Sequence, residues 1–199
     1  MRSVYLALAG ALLATGTVQA AEMVPLKIGQ TYVMKRTAED GSTREDTWTV
    51  AKDEAYGGKA FSVVQRQDGF QIWLRKENRA LTYTVQGGKT IDTYSPDWND
   101  WQWPLEVGRT WTSTYNFSGG GRSASNAGAT WSVKAEETVT VPAGSFKALR
   151  IERAPGNQSN HIVTRWYAPE LGLVVKQVES RSGQPGQVVQ ELVSHKSPP

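Results

Sequence analysis

The sequence predicts an all-β protein: one strongly curved antiparallel sheet or open barrel of about eleven strands, built from two tandem β-meander repeats. Three observations lead there. Apolar and polar residues alternate through most of the chain, glycine-containing pairs punctuate the alternation, and no window of about 12 residues keeps a 3.6-residue apolar period. Alternation puts one set of side chains on each face of a strand, and Asp-Gly or Gly-Gly pairs supply the positive φ of tight hairpins.

Residues 1–20 come first. Met1-Arg2 precedes an apolar run over 4–14, and Val18-Gln19-Ala20 places small residues where a signal peptidase reads. This is the pattern of a cleaved secretory signal peptide, too short for a membrane span of about 20 apolar residues. The expected location is periplasmic or secreted, with no integral membrane segment after cleavage. The chain has no cysteine, so no lipid-bearing cysteine follows the leader and no disulfide braces the fold. Residues 21–199 are then expected to form a single β domain held by its core alone.

A first repeat spans about 25–95. Its strands are read around Tyr32 to Met34, Trp48 to Val50, and residues 61–64, 70–74 and 81–85, with turns at Asp40-Gly41, Gly57-Gly58, Asp68-Gly69 and Gly87-Gly88. A second spans about 104–195, with strands over 110–117, 129–141, 146–153, 162–167, 171–178 and 188–193. Residues 118–128, rich in glycine and serine, read as a flexible hairpin loop. They lack the Gly-Lys-Ser/Thr ending of a phosphate loop.

The repeats are visible as matched residues. Pro25, Leu26, Gly29 and Thr31 recur as Pro104, Leu105, Gly108 and Thr110 at an offset of 79. Thr47-Trp48-Thr49-Val50 answers Thr130-Trp131-Ser132-Val133 at 83, and Trp73 with Glu77 answers Trp166 with Glu170 at 93. The growing offset places insertions in hairpin loops, where they are tolerated. Each half of about 75 residues would be marginal alone, so the two are expected to share one core.

One stretch of the second repeat resembles a known family. Val141-Pro142-Ala143-Gly144-Ser145-Phe146, followed by Trp166-Tyr167-Ala168-Pro169-Glu170-Leu171-Gly172-Leu173-Val174, is similar to the V-P-A-G-x-F turn and W-Y-x-P-x-x-G-L-V hairpin of exported bacterial TapB-like domains of unknown function. The resemblance covers about the last 100 residues well. It implies a curved antiparallel sheet similar to the half-barrels of the LolA and LolB lipoprotein carriers, and no assigned activity. Many relatives look like lipoproteins, a feature this cysteine-free chain does not share.

Catalytic and metal chemistry find little support. His161 and His195 are the only histidines and neither has metal-ligand spacing. No Gly-x-Ser-x-Gly elbow exposes a serine. The carboxylate pairs Asp97/Asp100 and Glu136/Glu137 carry no sign of facing one another across a sugar, as glycoside hydrolysis needs. Without Arg2, 21 basic residues stand against 19 acidic ones, interspersed and forming no phosphate-tracking stripe, so nucleic acid is excluded as the expected partner. No cofactor is expected.

Binding is what remains. Of the eight tryptophans, Trp48, Trp73, Trp131 and Trp166 recur with the repeat and read as core. Trp98, Trp101 and Trp103 do not recur. With Asp97 and Asp100 they lie in the connector over 94–104 and are the candidate ligand-binding residues, as a lid or contact surface, or as a loop that plugs the barrel. The expected function is a non-enzymatic envelope protein that binds a lipid-like or amphipathic small molecule in a concave sheet, by fold analogy. Two alternatives stand beside it: a module docking on an envelope protein through a strand edge, and a carbohydrate-binding or carbohydrate-active protein using the Trp-Asp loop.

Overall fold

The computed structural model describes residues 20–157 and 159–198; residues 1–19, nearly all of the expected signal peptide, lie outside the described residues. Twelve strands follow one another: β1 (Thr31–Thr37), β2 (Thr43–Tyr56), β3 (Lys59–Arg66), β4 (Gln71–Arg75), β5 (Leu81–Gln86), β6 (Lys89–Trp98), β7 (Thr110–Gly119), β8 (Arg122–Val141), β9 (Gly144–Arg153), β10 (His161–Ala168), β11 (Leu173–Arg181) and β12 (Gln187–Lys196). Each pairs antiparallel with its sequence neighbour, and β1 also pairs with β12, so the sheet closes into a barrel. Closure pairs most of the backbone edges that an open sheet leaves bare, β6 and β7 meeting over only three residue pairs.

The reading of an all-β protein with one curved antiparallel sheet of about eleven strands holds: the sheet closes fully into a barrel, with twelve strands among the described residues. The added strand is β6, which takes in the first residues of the expected connector, so Asp97 and Trp98 stand on a strand and not in a loop. Pro96 and Asp97 break the alternation there; pairing of Trp98 with Leu81 on β5 keeps the chain extended. Nor are residues 118–128 a flexible loop. β7 runs to Gly119 and β8 starts at Arg122, joined by Gly120-Gly121 at φ 55° and 73°, a two-residue hairpin that glycine enters without strain.

After six strands the chain returns to the same local geometry. Tyr32 sits opposite Trp48 on β1 and β2, and Trp111 sits opposite Trp131 on β7 and β8. The Gly29 N–H donates to Val50 O at 2.8 Å and the Gly108 N–H to Val133 O at 2.9 Å. A bulge follows Val50 on β2 and another follows Val133 on β8. Trp73 lies on β4 and Trp166 on β10, diametrically opposite in the ring.

The core fills the lumen. On β7, buried Trp111, Ser113 and Tyr115 alternate with exposed Thr110, Thr112, Thr114 and Asn116. Trp111, Trp131, Leu149, Ile151, Val163 and Tyr167 pack with Trp101, Leu105 and Ala21. The exposed face of β7 is therefore polar, unlike the apolar band of a membrane barrel. A second cluster joins Met34, Val175 and Leu192 to Val141, Phe146 and Ala148 of the β8–β9 hairpin. The hairpin tip is tied down where the Ala143 N–H donates to Leu192 O at 3.0 Å.

Candidate functional site

Two non-strand segments meet where the core is densest. Ala21 and Leu105 exchange backbone hydrogen bonds of 2.7 and 2.8 Å, joining the N-terminal segment to the connector after β6. Both residues are buried with Trp101 and Tyr167. The connector is thus folded back into the barrel. Trp101 stacks on Trp103 with centroids 5.3 Å apart and planes 9° from parallel, and both meet Tyr167 edge-on.

Beside this plug a cavity of about 300 Å³ remains, lined by Tyr32, Met34, Trp48, Val64, Ile72, Leu74, Leu81, Trp98, Trp101 and Val174 among others. Strands from opposite sides of the ring contribute, which places it in the lumen. Its lining is apolar and aromatic with a few polar groups, the composition of a small-molecule site, and its size is at the lower end for one. A more open, polar cleft of about 460 Å³ lies at the far end of β1, between Arg36, Asp40, His161, Glu179 and Arg181. Burial and the neighbouring Arg181 push His161 below its usual pKa.

The polar groups lining the cavity are organised around two arginines; a third buried arginine, Arg153 on β9, lies outside the lining and donates to His161 O at 3.0 Å. Arg165, on β10, donates to Asp100 at 2.5 Å and to Gln177 at 2.7 Å, and its guanidinium lies 4.7 Å from the Trp131 ring centroid and 5.5 Å from that of Trp101. Sandwiched between aromatic faces and held by a carboxylate, its charge is compensated.

Arg79 differs. It lies in the β4–β5 turn at φ 63°, is only 8% exposed, and donates to the carbonyls of Gly172, at 2.9 Å, and Val24. Its guanidinium also lies over the Trp103 ring at 5.8 Å. Among the described residues Arg79 forms no ion pair, and its Nε, like Nε1 of Trp98, is buried without a hydrogen-bond partner. Burial lowers the Arg79 pKa, and burial raises that of Tyr32 to about 12 against the opposing pull of Arg79. Both groups line the cavity.

Of the five sequence candidates, Trp98, Asp100 and Trp101 line the cavity. Trp103 backs Trp101 and donates its Nε1–H to Asn78 O at 3.2 Å. Asp97 is engaged elsewhere, accepting from Lys59 at 3.0 Å, Arg75 at 2.6 Å and Thr82 at 2.9 Å. Burial raises the Asp97 pKa, but these donors outweigh it and hold the carboxyl below its ordinary range. Glu136 and Glu137 are drawn to Lys147 and to Arg150 and Trp166. Among the described residues no group of three or more His, Cys, Asp or Glu could hold a metal ion.

Sequence reasoning missed Arg79, Arg165, Tyr32 and Gln177. One signal was present for the first: carried by the offset of 93 that matches Trp73 to Trp166, Arg79 corresponds to Gly172.

No protein-family model matches the sequence, and no curated protein matches it. Solved structures do. A Bacteroides fragilis protein, described as a candidate exported protein with a YmcC-like fold, is 15% identical over 89% of this chain and 100% of that chain, with a TM-score of 0.53. The hypothetical lipoprotein YmcC from Escherichia coli is 18% identical over 85% of each chain, with a TM-score of 0.47. At these identities the likeness is one of fold: this chain shares the barrel architecture of the YmcC-like protein from Bacteroides fragilis.

Proposed function

We propose that this protein is a non-enzymatic component of the bacterial envelope that binds an amphipathic small molecule inside its barrel. The observation that carries the reading is the lumenal cavity, walled by apolar side chains from opposite strands and carrying a short set of buried polar groups. The leader-like residues 1–20 and the resemblance of residues 141–174 to exported TapB-like domains support an envelope location. The carboxylates of the Trp-Asp segment are each committed to basic partners, which disfavours a glycosidase. Native mass spectrometry of protein purified from the periplasm tests the proposal. A co-purifying small amphiphile is expected; a clean apo mass, with no uptake of the neutral probe N-phenyl-1-naphthylamine, overturns it.

A second reading rests on the seam between β6 and β7. These strands pair only through Asp92–Tyr94 and Phe117–Gly119, so residues 110–115 of β7 pair with β8 alone. A partner strand could add at that edge. A photoreactive residue at Thr112 would then crosslink one envelope protein in cells, and labelling no different from that of an outward site on β8 would exclude this docking.

A further inference from the structure

Arg79 is an unusual residue for its position. Its counterpart Gly172, also at a left-handed φ of 66°, meets the backbone requirement without strain. At Arg79 the same conformation carries a β-carbon and is strained. Positions that keep such strain are commonly functional. The guanidinium is also buried with no acidic partner among the described residues, and a buried cation is normally paired. Serving the carbonyls of Gly172 and Val24 leaves the charge itself without a counterion.

We infer that the lumen is selective for an anionic amphiphile, whose acidic head group is held at Arg79 and whose hydrocarbon part lies along Val64, Ile72 and Leu74. This deepens the proposed function and rests on it. Three observations converge. The charged side chains lining the cavity are Arg79, Arg165 and Asp100; the last two neutralise one another and Arg79 remains. Its Nε is buried without a partner, and the Tyr32 hydroxyl, electrostatically coupled to it, is a second donor on the same wall. Apart from Gln177 and Gln190, the remaining wall is apolar. A carboxylate or a phosphate would supply the missing acceptor through a charge-assisted hydrogen bond.

The test compares decanoate, decyl phosphate and the uncharged 1-decanol by calorimetry on the mature protein. At least one anion should bind roughly tenfold or more tightly than the alcohol, the discrimination expected of a hydrogen bond to a charged group. The tighter anion identifies the head-group chemistry. Arg79→Gln should bring both anions to the affinity of decanol. Because Arg79 also ties two backbone segments, its replacement risks unfolding, so the wild-type comparison decides by itself. Equal binding of all three probes overturns the anion assignment and leaves lumenal binding standing. Binding of none overturns the lumenal reading and this inference together.

Discussion

Arg79 donates a hydrogen bond of 2.9 Å to the carbonyl of Gly172, and the two residues occupy the same point in the two halves of the barrel, with φ of 63° and 66°. Each follows the strand that carries the repeated tryptophan, Trp73 on β4 or Trp166 on β10. The contact therefore ties the two sides of the ring together across the N-terminal segment, whose Val24 carbonyl accepts from the same guanidinium.

Gly172 tolerates no side chain. A β-carbon there would lie 2.8 Å from Cβ of Val24, in a left-handed conformation. Gly172→Ala should lower stability by roughly 2–4 kcal/mol, combining backbone strain with overpacking. Urea unfolding followed by tryptophan fluorescence measures it. Little or no shift in the midpoint would mean that the N-terminal segment is not packed against this turn.

The Arg165–Asp100 pair is largely shielded on both sides, with side chains 14% and 12% exposed. Asp100→Asn strands the guanidinium and should cost about 3 kcal/mol, whereas Asp100→Leu with Arg165→Met should recover most of the loss. A double-mutant cycle in urea reads the coupling. If the two single substitutions simply add, the pair is not coupled.

Trp101 distinguishes a plug from a surface lid. Packed against Trp103 and Tyr167, it should cost about 3–5 kcal/mol when replaced by alanine, against well under 1 kcal/mol for an exposed loop residue. Trp101→Ala should also enlarge the cavity, so uptake of the neutral probe N-phenyl-1-naphthylamine should rise.

Asp97 links stability to pH. Its folded pKa is depressed, so its ionised form stabilises the protein above the unfolded carboxyl value of about 3.9, and that contribution is lost as pH falls through the folded pKa. Asp97→Asn should therefore be less stable than the parent at pH 7, and the gap should narrow toward pH 3. Urea midpoints at the two pH values give the answer; a constant gap would show that the carboxylate charge contributes nothing.

Much of the architecture was legible in the residues. Alternation of Trp111, Ser113 and Tyr115 with Thr112 and Thr114 allows only a half-buried strand. Gly57-Gly58 and Gly87-Gly88 mark hairpins because few other pairs adopt their φ values without strain. β6 was not legible, since Pro96 and Asp97 interrupt its pattern and its extension depends on β5. The glycine-rich residues 118–128 misled for the opposite reason: a composition that permits a loop also permits two strands and a tight turn, and pairing with neighbours decides.

The site divides along the same line. Absence from the repeat singled out Trp98, Trp101 and Trp103, with Asp97 and Asp100 beside them, and of these five Trp98, Asp100 and Trp101 line the cavity. That Asp97 is anchored to Lys59 and Arg75 and that Asp100 meets Arg165 are outcomes of long-range packing, between residues 38, 22 and 65 positions apart in the chain. Local pattern determines which way a strand's side chains face, because that depends on neighbours one or two residues away. Which charges meet in the lumen, and that Arg79, among the described charges lining the cavity, is the one left without an ion pair, only closure of the barrel decides, because closure alone sets distances between strands on opposite sides of the ring.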